Sequence, residues 1–176
     1  ARDLRTAIQY FSNSMVGDTV FTMAYLNRGL SWFELGDYDK AIEDINVVVD
    51  RKPDELYLKY YIEGVAAAKQ GNLEIAGDNL DQAVELKDDF AAIYTWRGLV
   101  SSEREQYQKA LKSFLRSIQL DPGQTILYIN ISNMYYYLQD YRNALSWLKR
   151  ANNAGEAIDR EFLKKLDELV NGKVIN

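Results

Sequence analysis

The amino-acid sequence repeats itself every 34 or 35 residues, and this repetition constrains the fold more than any single motif does. Alanine recurs at this spacing, at Ala7, Ala41, Ala76, Ala110 and Ala144. A small residue recurs elsewhere in the repeat, at Gly29, Gly64, Gly98 and Ser132. A large apolar residue follows each alanine by four positions, at Phe11, Ile45, Leu80, Phe114 and Leu148. Three series with the same spacing predict a single structural unit that is used several times.

Each repeat has the pattern of two amphipathic helices folded back on each other. In residues 22–55 the pattern predicts a turn at Gly36 and Asp37 and a stop at Pro53, because proline lacks the amide proton that a helix needs. Two helices can approach closely only where the side chains at the crossing are small. Glycine inside a helix costs about 1 kcal/mol relative to alanine. Its recurrence at one phase, as at Gly29, therefore indicates that packing requires a small residue there.

Two further features complete the repeat. An aromatic residue stands early in every predicted first helix, at Tyr25, Tyr60, Tyr94 and Tyr128. Pro53 and Pro122 close the first and third repeats. The pattern resembles the tetratricopeptide repeat, a helix-turn-helix unit of 34 residues. Arg28 departs from the resembled pattern, which has leucine at that position. The resemblance implies an all-α fold, a right-handed α-solenoid of helix-turn-helix repeats with a C-terminal capping helix.

The repeat phase predicts one continuous domain with six segments. They are a half repeat with its connection (1–21), four full repeats (22–56, 57–90, 91–124 and 125–158), and a capping helix with a tail (159–176). The half repeat has Ala7, Phe11 and Ser14 in the phase of a second helix. Three alternatives stay open for the half repeat. It is cut from a longer array, it lies against another chain in a homodimer through residues 1–15, or it caps the array. Asp159 is expected to be the N-cap of the last helix. That helix is expected to cap the array, and the alternative is that it binds a partner.

Composition excludes several classes of function. The sequence has no histidine and no cysteine, which removes the usual nucleophilic triads and nearly all transition-metal sites. Asp88 and Asp89 form a carboxylate pair in a predicted turn, where solvation is the expected state. We therefore expect no enzyme activity, catalytic residue, metal or cofactor. The net charge of −5 argues against nucleic acid, and residues 122–139 are too polar for membrane insertion. The compartment stays open: the cytoplasm is favoured over the periplasm or secretion.

The resemblance also implies a binding surface. In that family the first helices line a concave groove that holds a peptide or a helix of a partner protein. The side chains at the groove phase here are apolar and aromatic: Met23, Leu26, Leu30, Phe33, Leu58, Tyr61, Val65, Thr95, Leu99, Ile126, Ile129, Asn133 and Tyr136. The cationic residues with which some members clamp a peptide carboxylate are absent. The alternatives are that several of these side chains pack between neighbouring first helices, or that the protein is a scaffold that assembles through its half repeat.

Overall fold

The computed structural model describes residues 2–13 and 18–172, and these residues form α-helices and one short 3₁₀ turn, with no strand among them. The predicted all-α class is confirmed. The helices are α1 (Arg2–Asn13), α2 (Asp18–Leu35), α3 (Tyr38–Arg51), α4 (Leu56–Lys69), α5 (Leu73–Leu86), α6 (Ala91–Glu103), α7 (Tyr107–Leu120), α8 (Leu127–Tyr137), α9 (Tyr141–Asn153) and α10 (Arg160–Asn171). Ser14 lies outside the described residues.

The helices pack in consecutive pairs, α2 with α3, α4 with α5, α6 with α7 and α8 with α9. The predicted turn at Gly36 and Asp37 and the stop before Pro53 are confirmed, although α2 begins ahead of Thr22, at Asp18. Asp37 caps α3 by accepting a hydrogen bond from the backbone N–H of Lys40. Lys40 also pairs with the Asp37 carboxylate and holds its pKa below the usual value.

The recurring small residues lie where the two helices of a pair cross. A Cβ built on Gly98 would lie 2.5 Å from Cε1 of Phe114, and one on Gly64 would lie 2.8 Å from Cγ of Leu80. In the fourth pair Ser132 donates its hydroxyl to the carbonyl of Ala144 at 2.8 Å. The predicted reason for the series is confirmed: the facing helix leaves little or no room for a larger side chain.

An ion pair replaces apolar packing in the first helix pair. Arg28, which stands at the family's leucine position, binds the buried Asp44 of α3 through Nε at 2.7 Å and Nη2 at 2.6 Å. Its Nη1 donates to Ser12 of α1 at 3.1 Å. The hydrogen bond to Asp44 raises the pKa of Arg28. Through its bonds to Asp44 and Ser12, the guanidinium of Arg28 joins α2 to α3 and to α1.

The chain forms two compact units that divide between Asp88 and Asp89. In the first unit, Ala41, Ile45, Ala76 and Leu80 are completely buried. The second unit has two clusters of buried residues. One is centred on Phe114 and Ile131, and the other joins α9 to α10 through Leu148 and Leu166.

The last helix begins where the sequence predicted. Asp159 accepts hydrogen bonds from the backbone N–H groups of Glu161 and Phe162, which confirms it as the N-cap of α10. Leu166 stands in the phase of Gly98 and Ser132, and its side chain is buried against α9.

Candidate functional site

In the first unit the candidate residues of α2 form one face of that helix. Met23, Leu26, Leu30 and Phe33 are separated by three or four positions, so their side chains lie along one stripe. Met23 is 48% exposed and the other three are half-buried. This stripe is apolar surface that the unit leaves partly accessible.

The candidate residues of α4 belong to the core instead. Leu58, Tyr61 and Val65 are buried, and Val65 retains 1% of its exposure. The ring of Tyr61 lies 5.4 Å from that of Phe33, so it joins α4 to α2. These three residues pack inside the fold, so the accessible candidate residues of the first unit are those of α2.

In the second unit the α6 candidates have partners within the fold. Thr95 Oγ1 is 2.7 Å from the hydroxyl of Ser117 and donates to Oε1 of Gln124 at 2.8 Å. Leu99 packs against the cluster that contains Phe114 and is half-buried. Thr95 thus fastens α6 to α7 and to the segment before α8, and its surroundings remain partly open.

On α8 the candidates differ in accessibility. Ile126 precedes the helix and is 54% exposed, and Ile129 and Asn133 follow on the same face, both half-buried. Tyr136 is tied to the last helix: its ring lies 5.2 Å from that of Phe162, and its hydroxyl accepts a hydrogen bond from Lys165 at 2.7 Å. That bond raises the pKa of Lys165. Ile126, Ile129 and Asn133 remain as an accessible stripe.

A pair of tyrosine rings lies beside this stripe. Tyr137 is 54% exposed, and its ring stacks on that of Tyr107 at 4.6 Å and 10°. Partial desolvation and the nearby negative charge of Glu105 raise the pKa of Tyr107. The repeat phase indicated nothing about Tyr107, because it lies at the start of a second helix, outside the predicted first-helix set.

A cavity of about 300 Å³ opens at the beginning of α6. It is lined by Phe90, Ala91, Ala92, Thr95, Trp96, Asp121 and Gln124. Of these residues, only Thr95 belongs to the predicted groove set. The adjacent alanines Ala91 and Ala92 were the available signal, since two small side chains at a first-helix start leave space beside them.

Within residues 2–13 and 18–172 no group of three acidic side chains is arranged to hold a metal ion. Along the same ranges, no helix has both the length and the apolarity needed to cross a bilayer.

Comparison with known proteins decides the family. The family model described as tetratricopeptide repeat matches residues 1–55 and 61–125. The chain belongs to the tetratricopeptide repeat family. Human tetratricopeptide repeat protein 6 is 24% identical over 131 residues, which are 74% of this chain and 25% of that protein. The chain therefore spans about a quarter of this relative's length.

Solved structures of tetratricopeptide repeat proteins share the fold. The crystal structure of MamA matches with a TM-score of 0.66 and 24% identity, covering 86% of this chain and 88% of MamA. YrrB, described as a TPR protein with an unusual peptide-binding site, matches with a TM-score of 0.58 and 21% identity over 86% of this chain and 78% of YrrB. At these identities the comparison supports the fold alone.

Proposed function

We propose that this tetratricopeptide repeat chain is a non-catalytic interaction module that binds a peptide or an amphipathic helix of a partner protein. The observation that carries the proposal is the apolar stripe of α8. Ile126 is 54% exposed, and Ile129 and Asn133 continue the same face. Full burial of an exposed isoleucine contributes about 1.5–3 kcal/mol, and since Ile126 and Ile129 are already partly covered, each can add about half of that or less to the binding of a short segment.

The chemistry of the stripe suits a peptide. The Asn133 side chain offers both a donor and an acceptor, which can pair with the backbone of an extended segment. The α2 stripe of the first unit, Met23 with Leu26 and Leu30, offers a second apolar surface of the same kind. The peptide-binding site named for YrrB supports the proposal by analogy. The net charge of −5 favours a protein partner over nucleic acid.

Selection from a random peptide-display library on the immobilised protein tests the proposal. Selected peptides, synthesised and titrated by calorimetry, are expected to lose at least about tenfold in affinity when Ile126→Asp removes apolar contact and adds a charge. The matched control is Ile75→Asp on α5, because Ile75 is 56% exposed but lies on a second helix. Equal loss in both variants, or no selectable peptide, would overturn the proposal.

A second candidate function, a self-assembling scaffold, is favoured by α1. Ala7 and Phe11 are half-buried, whereas Ala41 and Ile45 in the same phase are completely buried, and Tyr10 is 69% exposed. A second copy that covered this face would bury it in the same way as the other repeats. Light scattering tests this: an oligomer must form, and deletion of residues 1–15 must abolish it. The exposed Tyr137, changed to Ser, is the control.

A further inference from the structure

The cavity at the start of α6 exists because the third helix pair has small residues there. Ala91 and Ala92 occupy repeat positions that hold larger side chains in the neighbouring pairs: Tyr57 and Leu58 in the second, Thr125 and Ile126 in the fourth. The two alanines leave about 300 Å³ beside Thr95. That volume accommodates one long side chain of a ligand.

The cavity wall carries a negative charge. Asp121 is its one charged lining residue and is the C-cap of α7. The corresponding C-caps of α3 and α5 are Lys52 and Lys87. A carboxylate at a helix C-terminus is unfavourable, because the helix dipole is negative there, whereas lysine is favourable. The sign of the charge is therefore reversed at the helix end that borders the cavity.

The Asp121 carboxylate is held in place. Its Oδ1 accepts a hydrogen bond from the backbone N–H of Gly123 at 3.1 Å. The polar groups of the inner wall are already joined to one another, since Gln124 accepts from Thr95 and donates to Ser117 at 3.3 Å. Asp121 is thus the group of the wall that best complements a charged ligand.

Aromatic rings in the cavity wall also favour a cationic ligand. Trp96 and Phe90 both line the cavity. A cation placed over an aromatic face is attracted by the ring quadrupole, and tryptophan is the strongest of the aromatic side chains in this respect. A guanidinium group can stack on a ring and bind a carboxylate in the same plane, which an ammonium group cannot do.

We propose that this cavity binds the arginine side chain of a bound peptide, with the guanidinium against Trp96 and paired with Asp121. The proposal rests on the proposed peptide-binding function and specifies its ligand: an apolar segment that carries an arginine. Thr95, a groove residue predicted from the repeat phase, lines the cavity and lies in the same unit as the α8 stripe.

Titration of the protein with N-acetyl-arginine amide, followed by the indole N–H resonance of Trp96 in NMR spectra, tests the cavity directly. The neutral probe N-acetyl-citrulline amide has almost the same shape. We expect the arginine probe to bind about fivefold more tightly than the citrulline probe. Asp121→Asn, which keeps an oxygen acceptor for Gly123, should reduce that difference, because only the attraction of the Trp96 ring for the cation then remains. Asp54→Asn, an exposed position in the first unit with the same charge change, should preserve it.

Equal binding of the two probes, or an unchanged preference in Asp121→Asn, would overturn the cation site. Its failure and the failure of the proposed function are distinguishable. Display-selected peptides that bind the protein while the arginine probe does not would overturn the cavity proposal and leave peptide binding intact. A probe that binds in the Asp121-dependent way while no peptide can be selected would support the cation site and overturn peptide binding.

Discussion

At the scale of single residues, the turns inside the helix pairs show two solutions to one geometric demand. Each turn needs a residue with positive φ. Gly36 and Gly71 supply it at 82° and 81°, whereas Glu105 and Gln139 adopt 56° and 62° at the equivalent positions. A residue with a Cβ is destabilised by about 1–2 kcal/mol at positive φ, whereas glycine is not. The third and fourth turns are therefore strained.

Glycine at the two strained turns should stabilise the protein. Glu105→Gly and Gln139→Gly are each expected to raise the free energy of unfolding by about 0.5–1 kcal/mol, because relief of strain exceeds the added freedom of the unfolded chain. Urea unfolding followed by circular dichroism measures the change. Gly71→Ala is the converse control: its Cβ would meet no atom within 4 Å, so any loss would be conformational. Destabilisation by both glycine variants would contradict the assignment of strain.

At the scale of helices, the distance between the two members of a pair is set by the small residue at their crossing. The space varies along the chain. A Cβ on Gly98 would lie 2.5 Å from Phe114, while one on Gly29 would lie 3.1 Å from Cβ of Asp44. Phe114 is fully buried and cannot move aside cheaply. The third pair is therefore the least tolerant of a larger residue.

Gly98→Ala should be more damaging than Gly29→Ala. Overpacking costs about 1–3 kcal/mol, which outweighs the roughly 1 kcal/mol that alanine contributes through helix propensity. We expect Gly98→Ala to lower the urea midpoint and Gly29→Ala to change it little. If the two variants shift the midpoint equally, close approach at Gly98 is not what limits the packing.

The ion pair between α2 and α3 gives a second test at this scale. Asp44→Ala should destabilise the protein by about 3 kcal/mol, because Arg28 would keep its charge with no carboxylate beside it. Arg28→Met combined with Asp44→Ala should recover most of that loss, since no charge then remains at the site. A double variant no more stable than the single one would show that lost packing dominates.

The pH dependence of this pair follows from the pKa of Arg28, which Asp44 raises. A cation whose pKa is higher in the folded state contributes its stability below the unfolded pKa. It loses that stability only as the pH rises through the folded pKa, which lies far into the alkaline range. The difference between the wild type and Asp44→Ala should therefore not change across neutral pH.

At the scale of the whole molecule, burial is concentrated in the four helix pairs. Ala41, Ala76, Ala110 and Ala144, one in each pair, are completely buried. The terminal helices are less enclosed: among the described residues, α1 buries Ile8 and α10 buries Leu166, whereas α5 alone buries four residues. Helices with fewer buried contacts open more readily.

Hydrogen exchange should report this gradient. Amides in the middle of α1 and α10 are expected to exchange at least about tenfold faster than those in the middle of α5 and α7. Mass spectrometry of proteolytic fragments, after timed labelling of the intact protein, measures the rates. Protection of α1 equal to that of α5 would mean that another surface covers it, as the self-assembly candidate requires.

The sequence by itself determined the repeating unit and its helix pairs. A period of 34 or 35 residues, small residues in phase and a turn at Gly36 are local and periodic features, and helices, turns and crossings follow from local and periodic rules. The N-cap at Asp159 could be predicted for the same reason. The predicted segment boundaries and the continuous groove stay predictions.

Only the tertiary structure decided which first-helix side chains are accessible. The repeat phase treats Leu58 and Ile126 as equivalent, yet Leu58 is buried and Ile126 is exposed. Burial depends on the sizes of side chains brought close from other elements, and a period carries no information about those sizes. The cavity beside Thr95 arises in the same way, because it needs Asp121 and Gln124 from the α7–α8 connection to meet the start of α6.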